Sequence, residues 1–234
     1  MNRKSRQNRQ TDQLLGVDFS LKAVASVSTD AGEVSRSGDP RELLDRLRAR
    51  HDAECPHCTQ ATAHTQTVFG EGSPEADLVF IGEAPGATED ELGRPFVGRA
   101  GKKLDEMIQA MGLSREDVYI ANVLKARPPD NRTPQPDEIA RCSPYLQEQL
   151  RIIRPRVIVT LGGPATKLIL ETTTGITRLR GTWGSYRIEN GDGADLEIPV
   201  MPTYHPAYLL RNYTKQTRSE VWSDLQAVKD RILA

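Results

Sequence analysis

Apolar residues fall along the chain in two arrangements that alternate. Short continuous runs at residues 77–82 (DLVFIG), 118–120 (VYI), 157–162 (VIVTLG) and 198–203 (IPVMPT) predict strands, the two long aliphatic ones buried on both faces. Stretches of helical period separate them. Leu104, Met107, Ile108 and Met111 stand at i, i+3, i+4 and i+7, with Gly112 where a helix C-cap belongs. A helix after Pro136 carries Ile139, Leu146, Leu150 and Ile153 and stops near Pro155, a short one covers 164–171, and a last one aligns Val221, Leu225, Val228 and Ile232. The stretch between the short helix and the fourth strand is rich in Gly and Thr and reads as a loop. Ahead of all these, a helix following Pro40 puts Leu43, Leu44 and Leu47 on one face and leads into Cys55.

Such alternation predicts an α/β fold with a parallel sheet covered on both faces. Ligands of these sheets sit beyond the carboxyl ends of the strands. The loops there are 82–86, 122–127, 162–163 and 204–210, which is where chemistry is expected. With 234 residues, 37 % of them hydrophobic, the chain suffices for one domain, placed at 39–234. Residues 1–38 are polar and turn-rich and are expected to form a mostly disordered tail. No run approaches the eighteen or so apolar residues of a membrane span, and the polar start leads into no signal-peptide core, so a soluble, intracellular protein is expected. A formal net charge of -1 excludes a DNA-packaging role, which demands a strongly basic chain, yet leaves room for a local basic groove.

Candidate chemistry is concentrated in these loops. The turn Gly82-Glu83-Ala84-Pro85-Gly86 follows a strand but lacks both the dinucleotide fingerprint and a Walker loop, and tight packing explains it as readily as phosphate binding. Phe96 lies in a glycine-bounded segment, where its ring could stack on a base or fold over the core. Asn122, just past a strand, could read a pyrimidine edge or merely form a turn. His205 before Pro206 could donate to a base carbonyl or satisfy a backbone group. The segment 125–134, with Lys125, Arg127 and Arg132 among prolines, could grip phosphates or be a solvated loop. Cys55 and Cys58 have metal-hairpin spacing, and Cys142 could fold back to join them. With His57 and His64 available, zinc and iron-sulfur remain equally open on spacing alone, and an odd count of three cysteines argues against a disulfide framework.

Taken in order, the segments GEAPGATEDELGRPFVGRAG (82–101), NVLKARPPDNRTP (122–134), VIVTLGGPA (157–165) and MPTYHPAYLLR (201–211) closely resemble family 4 uracil-DNA glycosylases, from about Cys55 onward. The resemblance implies a three-layer α/β/α sandwich with a central parallel four-stranded sheet, a flipped uracil at the strand ends and a [4Fe-4S] cluster. It also implies roles. Phe96 would stack on uracil, Asn122 would read its Watson-Crick edge, and His205 would donate to the carbonyl that gains charge. Glu83 would act in catalysis and Glu89 would line the pocket together with Gly82 and Gly86. Leu209, Leu210 and Arg211 resemble the loop that pushes into the duplex, and Arg127 and Arg132 would contact DNA. The chain departs from the family pattern at Ala126, where the family supplies a cluster cysteine, so Cys55, Cys58 and Cys142 match only three of four ligands.

The expected activity is hydrolysis of the N-glycosidic bond of uracil in single- or double-stranded DNA, leaving an abasic site. The expected enzyme is a monomer associated with the nucleoid, with its relation to a replication clamp unspecified. A non-catalytic uracil-DNA or damage-binding module is the alternative that Ala84 and Ala126 suggest. A Rossmann-type nucleotide binder is disfavoured by the missing phosphate fingerprint.

Overall fold

The computed structural model describes residues 38–55, 64–188 and 195–233. The tail expected over 1–38 lies, but for Gly38, outside the described residues, as do His57 and Cys58. Helix α1 (Pro40–Glu54) starts where Pro40 presets φ and the Asp39 carboxylate accepts the Arg41 N–H at 3.0 Å. It buries Leu44, Leu47 and His51, with Leu43 half-buried beside them. Next come β1 (Glu71–Gly72), β2 (Leu78–Gly82), α2 (Ala87–Leu92), α3 (Arg99–Ala110) and β3 (Tyr119–Asn122). They are followed by a 3-10 turn (Pro129–Asn131), α4 (Pro136–Ile153), β4 (Val157–Leu161), α5 (Gly163–Ile169) and α6 (Ile176–Leu179). Then come β5 (Gly184–Ile188), β6 (Leu196–Thr203), α7 (Pro206–Arg211) and α8 (Lys215–Leu233).

The sheet has the order β1-β3-β2-β4-β6-β5. Its four inner strands are parallel, as expected, and two antiparallel strands, β1 and β5, extend it at the edges. Strand β5 and helix α6 occupy the Gly- and Thr-rich stretch that reads as loop. The reason is physical: an antiparallel edge strand needs apolar residues on one face only, and Gly-Ser-Tyr-Arg-Ile supplies few. Strand β1 is two residues long and carries no pattern at all.

Side chains of each inner strand alternate between two apolar clusters. Val79, Ile81, Tyr119, Ala121, Ile158, Ile198 and Val200 pack with Leu44 of α1, Leu146 and Leu150 of α4, and Ile169 of α5. Leu78, Phe80, Ile120, Val157, Val159 and Met201 pack on the other side with Leu104, Met107 and Ile108 of α3, Leu209 of α7, and Val221, Leu225 and Val228 of α8. The result is a three-layer α/β/α sandwich. Burial on both faces explains why β2 and β4 read as apolar runs broken only by Thr160.

Chain order places the ligand crevice. From β2 the chain moves to β3 on one side, then returns past β2 to β4 on the other, so the direction of winding reverses at β2. Loops leaving β2 and β4 diverge at such a reversal and open a crevice at their carboxyl ends.

One close approach ties α3 to this region. A methyl group on Gly101 would be driven into the carbonyl of Phe96. Replacing a helix glycine by alanine ordinarily stabilises by ~1 kcal/mol. For Gly101→Ala we expect the opposite sign, a loss of about 1–3 kcal/mol from overpacking. Chemical denaturation checks this, and a midpoint at or above that of the parent protein would contradict it.

Candidate active site

Parallel pairing sets Gly82 directly beside Asn122, since the register runs Val79 with Tyr119 through Gly82 with Asn122. The absent side chain at Gly82 is filled by others. A Cβ there would overlap both the ring edge of Phe96 and the amide oxygen of Asn122. Two strands away, β6 ends at Thr203, and His205 follows with its ring 5.7 Å from that of Phe96, centroid to centroid. Gly162, at φ 89, sits beneath the His205 Cβ, which lies 3.0 Å from where a Cβ of its own would be. Gly82, Phe96, Asn122 and His205 are thereby brought together at the strand ends.

Phe96 is buried and holds a left-handed backbone, φ 51, which an L-residue adopts only at a cost. Its neighbours hold it there. The Glu89 carboxylate accepts the N–H groups of Val97 (3.0 Å) and Gly98 (2.8 Å) through one oxygen and that of Gly86 (3.1 Å) through the other. Glu89 therefore clamps the first turn to the Phe96 segment, with both oxygens engaged by main chain. From α3's far side, Arg115 donates to the carbonyls of Phe96 (3.0 Å) and Pro95 (2.7 Å).

His205 caps α7: its Nδ1 accepts the Ala207 N–H at 3.1 Å, which leaves the ring proton on Nε2. Burial, reinforced by the positive charge of Arg211 and opposed by Glu89, lowers its pKa to about 4. The side chain is a neutral donor with a fixed tautomer. Glu83 is half-buried on the turn after β2, and burial raises its pKa. The Asn122 amide oxygen is buried without a hydrogen-bond partner among the described residues. Leaving such an acceptor unmatched costs about 1–3 kcal/mol, a cost removed when a ligand N–H reaches it. The turn beyond it is anchored by the fully buried Lys125, whose ammonium donates to the Asn122 carbonyl (2.8 Å) and to Gln149 (2.6 Å).

Residues expected to meet DNA are placed unequally. Leu210 and Arg211 are exposed on α7, whereas Leu209 is turned into the core. Arg127 is half-buried, bonding Asn131 at 2.8 Å with Asp90 4.0 Å away. Arg132 spends its guanidinium on both oxygens of Glu138, 2.7 Å each, at the start of α4.

Cys55 and Cys142 are fully buried in one apolar cluster with Ala126. Both thiols bear on Tyr145, whose pKa is raised to about 12 chiefly by burial. Where the family supplies a thiolate, the chain presents a buried methyl, so these residues do not fit a cluster held by four cysteines. Among the described residues no group of three or more His, Cys, Asp or Glu is arranged to hold a metal ion, and no helix there is long and apolar enough to cross a membrane.

Several supports escaped the sequence reading: Arg115, Gln149, and Asp224, which accepts the Thr203 hydroxyl (2.7 Å) just before His205 while pairing with Arg180. Each reaches the site across 19 or more residues of sequence, a distance at which spacing carries no signal.

The family model described as "Uracil DNA glycosylase superfamily" matches residues 69–226. The chain is similar to the type-4 uracil-DNA glycosylase of Thermotoga maritima, 43 % identical over 81 % of this chain and 95 % of that protein. It is 45 % identical to the type-4 uracil-DNA glycosylase of Archaeoglobus fulgidus over 80 % and 92 % of the two chains. With the type-4 uracil-DNA glycosylase of Sulfurisphaera tokodaii it shares 45 % identity over 75 % and 79 %.

The state of His205 is directly measurable. Nitrogen-detected NMR should show a neutral, Nε2-protonated ring through pH 5.5, titrating only near pH 4. Between pH 6.5 and that value the unfolded chain binds the extra proton, so acidification through this window lowers stability and nothing is lost above it. An imidazolium already present at pH 6 would contradict the buried-donor geometry.

Proposed function

The chain belongs to the uracil DNA glycosylase superfamily, and we propose that it excises uracil from DNA by hydrolysing the N-glycosidic bond of a flipped-out nucleotide, leaving an abasic site. The observation that carries this reading is the buried amide oxygen of Asn122, without a partner among the described residues and set with the Phe96 ring against Gly82. Uracil presents an N–H flanked by two carbonyls, so an amide oxygen accepts that N–H while the amide nitrogen donates to a carbonyl. Cytosine reverses this pattern at the same edge and would leave the buried amide mismatched, the strongest kind of discrimination available to a small pocket.

The remaining roles follow from charge. As the bond breaks, negative charge grows on the base and positive charge on the sugar. The neutral Nε2–H of His205 donates to the base carbonyl, and it need not release a proton to do so. Phe96 stacks on the ring, and the Gly82 and Gly86 backbone lines the cavity. Glu83, with its pKa raised by burial, is assigned to the sugar side, where its carboxylate stabilises the positive charge or orients water. Glu89 serves by holding the two walls together. Leu210 is the exposed apolar group suited to fill the space left in a duplex, and Arg211 at the end of α7 and Arg127 beyond β3 both follow strands that end at the pocket. The buried ammonium of Lys125 is bonded to Asn122 and Gln149, which supports hydrolysis over a Schiff-base route.

We further propose that the site corresponding to the family's iron-sulfur cluster retains three thiolates, from Cys55, Cys58 and Cys142. A cluster there would serve folding rather than bond cleavage.

A uracil-containing oligonucleotide, single- or double-stranded, should yield free uracil and an alkali-labile site without prior strand scission. Asn122→Ala should lower kcat/KM by about 100-fold with the melting temperature maintained or raised, since an unmatched buried acceptor is removed. Undiminished excision would take Asn122 out of the site, and absence of any uracil release by the parent protein would overturn the enzymatic reading.

Restoring the fourth thiolate is a separate matter. Ala126→Cys should raise iron and sulfide per chain and the melting temperature together. Iron content equal to that of the parent protein would dismiss the three-thiolate assignment.

A further inference from the structure

Arg115 lies between β3 and the segment that presents Phe96, and none of the roles above requires it. Yet its guanidinium reaches two consecutive main-chain carbonyls, Pro95 at 2.7 Å and Phe96 at 3.0 Å. The planar fork of arginine suits this task, because two of its N–H groups point the same way at fixed separation. The same Nη1 donates to Asp105 of α3 at 2.8 Å, and Nε faces the Glu71 carboxylate of β1 at 3.4 Å. Glu71 is in turn gripped on both oxygens by Arg94, 2.7 Å each. The guanidinium is thus fixed from α3 and from the sheet edge, and its free side holds carbonyls at Phe96, the non-glycine residue of the pocket whose backbone is left-handed.

From this we infer that Arg115 is a positioning residue for uracil recognition, locking the strained backbone of Phe96 so that its ring stays against the Gly82 floor. The inference rests on the proposed glycosylase activity. Without the fork, residue 96 relaxes toward ordinary backbone angles and the ring tilts off the floor. Asn122 and His205 are untouched, because their supports come from Lys125 and from the cap of α7. The deficit should therefore appear in binding of the base more than in the donor chemistry.

The test compares Arg115→Ala and Arg115→Lys with Arg94→Ala, which perturbs the same Glu71 but touches neither carbonyl. Excision is followed on a uracil oligonucleotide, and free uracil serves as a competitive inhibitor reporting on the pocket alone. Both Arg115 variants should lose about tenfold or more in kcat/KM and bind free uracil correspondingly worse, while Arg94→Ala matches the parent protein. Lysine keeps the charge beside Asp105 and Glu71 but cannot bridge two carbonyls, so Arg115→Lys should fold and still show the defect even where Arg115→Ala does not fold. In a Phe96→Leu background, Arg115→Lys should cost no more than about twofold further, since the group it positions is gone. Parent-like uracil inhibition in Arg115→Lys, or an undiminished penalty in the Phe96→Leu background, overturns the inference. Failure of the parent protein itself to release uracil would instead overturn the glycosylase reading.

Discussion

At the carboxyl end of β2, the ring of Phe96 and the amide of Asn122 both rest against the bare Cα of Gly82, because the parallel ladder sets Gly82 and Asn122 side by side. Any side chain at that position would displace both groups at once. The vacancy is a matter of sterics rather than of backbone freedom, since Gly82 has no positive φ. It fixes how deep a planar ligand can sit, and so fixes which ring and which amide can touch it. Every other feature of the pocket serves to bring a side chain to this floor or to keep it there.

Main-chain groups do most of that holding. Glu89 ties three N–H groups from two loops, Arg115 ties two carbonyls, and His205 accepts an N–H of its own helix. Both Glu89 oxygens accept main-chain N–H groups, while Arg115 keeps its Nε buried without a hydrogen bond, 3.4 Å from the Glu71 carboxylate. The other buried side-chain atom without a partner among the described residues is the Asn122 oxygen, which lies beside Gly82. On the proposed function, a pocket so arranged recognises by matching hydrogen bonds. Its electrostatic contribution comes from a neutral, oriented imidazole, which burial keeps from charging.

The central layer was legible because strands buried on both faces announce themselves. Residues 78–82 and 157–162 are apolar but for Thr160, and the α3 and α4 stripes repeat at helical period. The edges were not, since β1 has two residues and β5 alternates a weak pattern. In the site, Gly82, Asn122 and His205 were found by their place at strand ends, Phe96 by its glycine-bounded segment, and all four by family resemblance; they converge. Glu89 was read as a pocket wall, but a carboxylate's partners cannot be seen in sequence, and here they are backbone amides. Leu209 and Leu210 were grouped as a wedge; adjacent helix positions point about 100° apart, so one enters the core while the other faces out. Arg115 and Asp224 carried no signal because their partners stand far away along the chain.

Ala126, where the family that the sequence resembles has a cysteine, lies only four residues beyond Asn122, and the turn between them is held by the intervening Lys125. Its ammonium closes the turn by donating to the Asn122 carbonyl and reaches across to Gln149 of α4, which in turn donates to the Phe69 carbonyl and the Tyr119 hydroxyl. Buried charge of this kind is costly unless fully bonded, and removing one partner would be strongly destabilising. The network therefore resists deformation more than a neutral turn would. It joins β3 to α4 by hydrogen bonds that do not pass through the cysteines. The residue proposed to read the base is thus anchored from the sheet side, by bonds that do not involve Ala126 one residue beyond Lys125.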